Sequence, residues 1–241
     1  MPYSKEIKMK KCYVVGAGEF FGGITPCKED LVVAADGGLL HLMKLGIVPD
    51  VLVGDFDSLE EKMPKEKNSL TATVVRETED LKNGASVVLR IGEKNVEAVR
   101  YPVMKDKTDM EIAYEIGVSR GYTEFEIYGG VGGREDHTFA NYCLLLRAKN
   151  DENNAILVGS SAKTMVVKNE KISVQGKCGA TVSVFAFGGF ASGVNIKGLK
   201  YEAENVTLDP ASSVGVSNSF VESCEGEISV KSGALLVTVY G

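Results

Sequence analysis

In the first 137 residues, four acidic or glycine-rich turns each follow a short apolar run, and most lead into a helical pattern. The turns are Ala35-Asp36-Gly37-Gly38, Gly54-Asp55-Phe56-Asp57-Ser58, Lys105-Asp106-Lys107-Thr108-Asp109 and Gly129-Gly130-Val131-Gly132-Gly133-Arg134-Glu135-Asp136-His137. Alternating strand-like and helix-like segments build parallel sheets, because parallel neighbours need a crossover between them. The expected fold class is therefore α/β: an open, mainly parallel sheet with flanking helices, Rossmann-like. In such a sheet the turns gather at the carboxyl ends of the strands, where ligands bind. Carboxylates beside glycine-rich turns point to Mg²⁺ and a polyphosphate.

Local pattern supplies the details. Short apolar runs at 12–15, 31–35 and 51–53, and an alternating run at 124–128, read as strands. Residues 39–45 have helical spacing and stop at Gly46, with Pro49 beyond. Ser58 with Glu61, and Thr108 with Glu111, have capping-box spacing. The second box opens a helix to about Arg120 and puts Asp109 in its first turn, where the helix dipole favours negative charge. Residues 71–75, 86–91 and 96–103 are strand-like. At least the last joins the main sheet, and the others form a β excursion. An apolar helix is expected over 138–147.

Residues 149–154 form a polar break, giving an α/β domain at 1–150 and a second domain at 151–241. After the break, short strand-like runs recur at 156–158, 164–167, 181–187, 193–196, 206–208, 227–230 and 234–239, with turn residues between them and no helical pattern. That texture predicts a small all-β sandwich or barrel, the sandwich being the expected form.

Composition narrows the function classes. The net charge is −6 and basic residues form no long block, so nucleic acid and anionic membrane are excluded as partners. The short cluster Lys8, Lys10 and Lys11 is read as a solvated end. No apolar stretch approaches the roughly 20 residues of a membrane span. The first residues lack the apolar segment of a signal peptide, so a cytoplasmic protein is expected. Five cysteines, widely spaced, and two histidines give neither a zinc pattern nor a disulfide framework. Several cysteines sit in apolar runs and are read as core.

The acids carry the chemistry. Asp55 and Asp57, two apart in an extended turn, direct their carboxylates to one side and can share a hard cation. With Asp36 and Asp109 nearby, the set would repel itself without a cation or ligand. The glycines up to Gly132 and Gly133 free the backbone to approach phosphate, and Arg134 offers a charged fork. Asp136 either buttresses Arg134 or caps the helix, and His137 is a possible phosphate contact. His41 has no chemical role on this reading. Gly16-Ala17-Gly18 lacks a third glycine at the dinucleotide spacing, and no turn closes as a P-loop. Ser217-Asn218 can hydrogen-bond a heterocycle, and Phe185, Phe187 and Phe190 read as core.

Taken in order, these turns resemble those of the thiamin pyrophosphokinase family. The resemblance rests on Ala-Asp-Gly-Gly, Pro49-Asp50 before Gly-Asp-Phe-Asp-Ser, Lys-Asp-x-Thr-Asp, and Gly-Gly-Arg-x-Asp-His. In the second half, Gly188-Gly189, Ser192-Gly193-Val194, 197–201 and 215–218 look like its thiamin-binding domain. It implies pyrophosphoryl transfer from ATP to the hydroxyl of thiamin, giving thiamin diphosphate and AMP. It also implies a homodimer with thiamin held between subunits. Asp55, Asp57 and Asp109 would hold Mg²⁺, with Asp36 near. Arg134 and Asp136 would serve the phosphates, together with Gly37, Gly38, Lys105, Thr108, Gly132, Gly133 and His137. Ser217 and Asn218 would bind the pyrimidine, with Phe190, Tyr201 or Phe220 stacking on the ring. Two features depart from the family pattern: a long segment between Ser58 and Lys105, and Lys107 where glutamine is frequent. The alternatives are a pyrophosphokinase for another heterocyclic alcohol, and a non-catalytic sensor of thiamin or its diphosphate.

Overall fold

The computed structural model describes residues 9–54, 72–80, 84–100 and 106–241. Asp55, Asp57 and Lys105, and the expected cap at Ser58 and Glu61, lie outside the described residues. The chain divides into two compact units, Met1–Gly130 and Val131–Gly241.

The first unit holds strands β1 (Lys11–Val15), β2 (Leu31–Ala35), β3 (Val51–Gly54), β4 (Ala72–Asp80), β5 (Gly84–Ile91), β6 (Lys94–Arg100) and β7 (Glu124–Tyr128), with helices α1 (Gly38–Lys44) and α2 (Asp109–Ser119). Its strand order is β7-β1-β2-β3-β6-β5-β4. The pairs β7–β1, β1–β2, β2–β3 and β3–β6 are parallel. The pairs β6–β5 and β5–β4 are antiparallel, so the sheet is mixed. The excursion expected from the sequence is this antiparallel extension, which joins the sheet through β6.

Every residue of β2 and β3 is buried, as helices on both faces require. On one face Cys12 and Phe125 lie opposite each other in register and receive α2. A Cβ on Gly117 would stand 2.5 Å from the Phe125 ring and 2.8 Å from Cys12 Sγ, so only glycine lets the helix come this close. Tyr114 completes the contact, its ring 4.7 Å from that of Phe125. Burial pushes the Cys12 thiol up to about 12, which leaves it an inert core group. The other face carries a polar seam. Lys11 Nζ donates to Glu126 at 2.6 Å and Tyr128 Oη donates to the same carboxylate at 2.8 Å.

The second unit opens with α3 (Glu135–Asn150) and continues entirely in strands. Strands β8 (Asn154–Val158), β9 (Ala162–Lys168), β16 (Ala234–Tyr240), β11 (Thr181–Ala186) and β14 (Asn218–Ser219) pair antiparallel in that order. A second antiparallel sheet runs β10 (Lys171–Gln175), β15 (Glu225–Ser229), β12 (Ala191–Lys197), β13 (Ala203–Leu208). Val167, Val182, Val184, Leu235 and Val237 from the first sheet share one buried cluster with Val174, Val194, Ile196 and Ile228 from the second.

Several expectations need correction here. Helix α3 begins at Glu135, three residues before the expected start, because its polar first turn hides it from a hydrophobic pattern. Asp136 is therefore inside the helix, and Arg134 holds the capping position. Among the cysteines only Cys12 is buried, while Cys27, Cys143 and Cys178 are exposed. Cys143 lies in an apolar run, but helical periodicity turns it outward while Leu144, Leu145 and Ala148 turn in. Phe190 is 65% exposed rather than core, and Phe220 is buried rather than available for stacking.

Candidate functional site

At the carboxyl end of β2 the chain turns sharply. Asp36 N–H donates to Val53 O at 2.8 Å, and Asp36 adopts a left-handed backbone with φ 48°. Asp is one of the few residues that tolerate this conformation. The next step needs glycine, because a Cβ on Gly38 would stand 1.9 Å from Val15 O. Helix α1 thus starts directly on the backbone of β1. The Asp36 carboxylate turns toward β3, with Oδ1 2.6 Å from where a Cβ on Gly54 would be. A carboxylate oxygen therefore sits at the strand end from which Asp55 follows in sequence.

Helix α2 is capped as its sequence predicts. Glu111 N–H donates to Thr108 Oγ1 at 3.2 Å, and Asp109 is the first helical residue. Lys107, the departure from the family pattern, donates to both carboxylate oxygens of Glu115 at 2.7 and 2.9 Å.

The turns after β1 and β7 are zipped together. Gly16 N–H donates to Tyr128 O and Gly18 N–H to Gly129 O, both at 2.8 Å. Gly129, at φ 61°, could carry no side chain, since its Cβ would lie 2.2 Å from Gly16 O. Met110 of α2 packs on Gly16, and Ala17 lies against Gly37. The Gly16–Gly18 turn therefore touches the turn after Asp36, the start of α2 beside Asp109, and the turn after β7. In sequence it reads only as an incomplete dinucleotide fingerprint. Strand order alone reveals its position.

His41 also has a place. Its Nε2 is 3.0 Å from Gly18 O, and its ring stacks on Phe20 with centroids 4.9 Å apart. The Phe20 ring is 6.1 Å from that of Tyr128.

In the second unit, Gly132 and Gly133 have φ of 78° and 73°, and space around Gly133 is open. Arg134 and Asp136 form a two-point pair, Nε to Oδ1 at 3.1 Å and a terminal guanidinium nitrogen to Oδ2 at 2.6 Å. His137 N–H also donates to Oδ1 at 2.9 Å. The guanidinium beside it, reinforced by this N–H, holds the Asp136 carboxyl below its ordinary range, and the carboxylate in turn raises Arg134. Both side chains are exposed, so the pair positions the fork more than it stabilises the fold. Of its two expected roles, Asp136 takes the buttress. His137 is exposed on the first turn of α3.

Ser217 and Asn218 differ in availability. Ser217 is exposed, with φ 61°, and its N–H donates to Ser183 Oγ at 3.3 Å. Asn218 is buried. Its Oδ1 accepts from Tyr201 N–H and Ser219 N–H, both at 2.9 Å, and its Nδ2 donates to Tyr201 O at 2.7 Å. Tyr201 is 60% exposed, with Lys200 Nζ 5.3 Å above its ring.

Among the described residues no three His, Cys, Asp or Glu side chains form a ready metal cluster, and no helix is long and apolar enough to cross a membrane.

Comparison with known proteins adds an independent observation. Residues 27–157 match the family described as thiamin pyrophosphokinase, catalytic domain, and residues 168–235 match thiamin pyrophosphokinase, vitamin B1 binding domain. A thiamine pyrophosphokinase of Bacillus subtilis is 24% identical over 218 residues, covering 87% of each chain. Among solved structures, thiamine pyrophosphokinase from Bacillus subtilis superposes with TM-score 0.75 at 19% identity, covering 96% of this chain and 99% of its own. Thiamin pyrophosphokinase from Geobacillus thermodenitrificans gives 0.73 at 22%, covering 96% and 98%. The Candida albicans enzyme gives 0.64 at 13%, covering 97% and 90%. At these identities the structural likeness speaks for the fold.

Proposed function

The chain belongs to the thiamin pyrophosphokinase family, and from that premise we propose how its residues divide the work. It is an enzyme that transfers the pyrophosphoryl group of ATP to the hydroxyl of thiamin, giving thiamin diphosphate and AMP. One observation carries this: a catalytic and a vitamin B1-binding family domain follow each other in one chain.

The finer assignments are our reading. Residues 1–150 form a Rossmann-like catalytic domain, and 151–241 an all-β sandwich that binds thiamin. Transfer of this kind is mainly positioning and neutralisation of charge. Mg²⁺ supplies that neutralisation when bound, and a set of carboxylate oxygens suits so hard an ion. Asp55, Asp57 and Asp109 are the proposed ligands. Asp36 supports the fit, because its carboxylate already turns toward the end of β3.

Arg134, fixed in orientation by Asp136, presents its remaining donors to the phosphates. Backbone N–H groups of Gly37, Gly38, Gly132 and Gly133 serve the same end, as do Lys105 and His137. Thr108 Oγ1 accepts a bond from Glu111 and keeps its own hydrogen to donate. Ser217 offers its hydroxyl to the pyrimidine of thiamin, and Asn218, its side chain bonded to Tyr201 and Ser219, serves the same site by holding the turn that presents Ser217. A carboxylate among Asp36, Asp55, Asp57 and Asp109 takes the proton of the attacking hydroxyl. The enzyme works as a homodimer in the cytoplasm, with thiamin between subunits. The exposed Val214 and Val216, beside Ser217, support a partner surface there.

The test is a mixed-substrate assay with ATP, Mg²⁺ and thiamin, the products separated chromatographically. Equal amounts of AMP and thiamin diphosphate are expected. ADP with thiamin monophosphate would place the attack on the wrong phosphorus. Thiamin bound without product would favour a sensor.

A further inference from the structure

Among the parallel strands of the first unit, the strand order turns back between β1 and β7. From β1 the chain proceeds to β2, β3 and β6 on one side, then returns to place β7 on the other side of β1. Loops leaving β1 and β7 therefore diverge, and the crevice between them is where open α/β sheets take ligands. Its floor is the zipped pair of turns at Gly16–Gly18 and Gly129.

One wall of that crevice is the connection from Gly16 to Asp30, a long stretch without helix or strand. Loops of this length in a compact domain are commonly functional. This one is tied at both ends. At the near end, His41 holds Gly18 O and stacks on Phe20. At the far end, Asp30 accepts from Lys11 N–H at 2.8 Å and Cys27 N–H at 2.7 Å, and Tyr122 Oη donates to Glu29 O at 2.9 Å. Between the anchors Ile24 is buried, and the stretch just before it is open. Phe21 is 54% exposed, and Gly22 and Gly23 follow with φ of 81° and 87° and no atom within 4 Å of where their side chains would be. The anchored ring of Phe20 fixes the chain at the rim, one residue from an exposed aromatic that can swing on two glycines.

We propose that Phe21 is a base-binding residue that stacks on the adenine ring of the nucleotide at this crevice. The proposal rests on the functional reading above for the identity of the nucleotide. A flat, uncharged phenyl ring is chemically suited to a purine face and does nothing for a phosphate. Stacking of one base on one aromatic is worth roughly tenfold or more in affinity.

The chain contains no tryptophan, so Phe21→Trp creates a single fluorescent reporter at the point in question. AMP and ATP are expected to quench its emission, and inorganic tripolyphosphate with Mg²⁺ is not. Phe21→Ala is expected to raise KM for ATP about tenfold and leave KM for thiamin in place. Equal quenching by tripolyphosphate, or no quenching while thiamin diphosphate still forms, would overturn the proposal and spare the functional reading. Quenching by AMP in a protein that makes no thiamin diphosphate would uphold the base site and overturn that reading instead. Unfolding midpoints of both variants matching the parent's check that an exposed position has been changed without harm to the fold.

Discussion

Asn218 looks from the sequence like a residue for the ligand, but its surroundings make it a clamp. Its side chain makes three hydrogen bonds, two to the Tyr201 backbone and one to Ser219 N–H. These extend an isolated bridge between Leu199 and Phe220 and the bond from Lys200 N–H to Ser219 O at 2.9 Å. Asn218→Ala removes all three. At about 1 kcal/mol net for each bond, the loss is about 3 kcal/mol. Burial of the orphaned groups adds to this, and water reaching the exposed Tyr201 subtracts from it. In a chain of this size the change lowers Tm by about 6–12 °C. Asn218→Asp sharpens the test, because it keeps the volume and the two accepted bonds but turns the 2.7 Å contact with Tyr201 O into oxygen against oxygen. Its stability should fall comparably near neutral pH and recover as acid protonates the introduced carboxyl, which then donates to Tyr201 O. Thermal and urea unfolding of the full chain measure both variants. An Asn218→Ala protein within about 0.5 kcal/mol of the parent would refute the clamp. If thiamin affinity collapsed at the same time, Asn218 would be acting on the ligand directly.

Gly129→Ala should destabilise by at least about 2 kcal/mol, because it adds a clash with Gly16 O to the cost of a left-handed backbone, whereas Gly133→Ala, with a similar φ and open space, bears the backbone cost alone; urea unfolding compares them. The Asp136 carboxyl should titrate below its ordinary 3.8, followed by carbon NMR, and Arg134→Gln should return it toward that value. Because its folded pKa is depressed, the Arg134–Asp136 pairing is fully present above the unfolded pKa and is lost as pH falls through the folded one. Asp57→Asn should cut turnover about a hundredfold or more while thiamin binding, measured calorimetrically, persists.

Strands and helices of the first unit were legible because burial on both faces leaves an unbroken apolar run in 31–35, because 124–128 alternates polar and apolar residues as a half-buried strand does, and because Thr108 and Gly121 punctuate α2 by local chemistry. What escaped depends on partners distant in sequence. Strand β10, Lys171–Gln175, has only one buried residue, Val174, and exists through its pairing with β15. Strand β14 is two residues long. Phe220 reads as a ring for stacking, but it fills the space left by Gly176, where a Cβ would stand 2.3 Å from its ring. Asn218 reads as free until the residue seventeen places earlier is seen to occupy it.

The same limit separates acids that look alike in sequence. Asp50 and Asp55 belong to one short run, and the resemblance draws on both. Yet Asp50 precedes β3 and Gly54 ends it, so about 13 Å of extended chain lies between them. At its end of the sheet Asp50 ties three strands together. Its carboxylate accepts from Val32 N–H at 2.8 Å, its own N–H donates to Val32 O at 2.8 Å, and its carbonyl accepts from Glu97 N–H at 3.1 Å. Lys94 Nζ adds an ion pair at 2.8 Å. An aspartate spent in this way registers β2, β3 and β6 so that their carboxyl ends come level. Asp36, whose carboxylate leans over the far end of β3, depends on that register for its position. Asp50 thus aligns the strands, and Asp36 stands in the turn that the alignment creates.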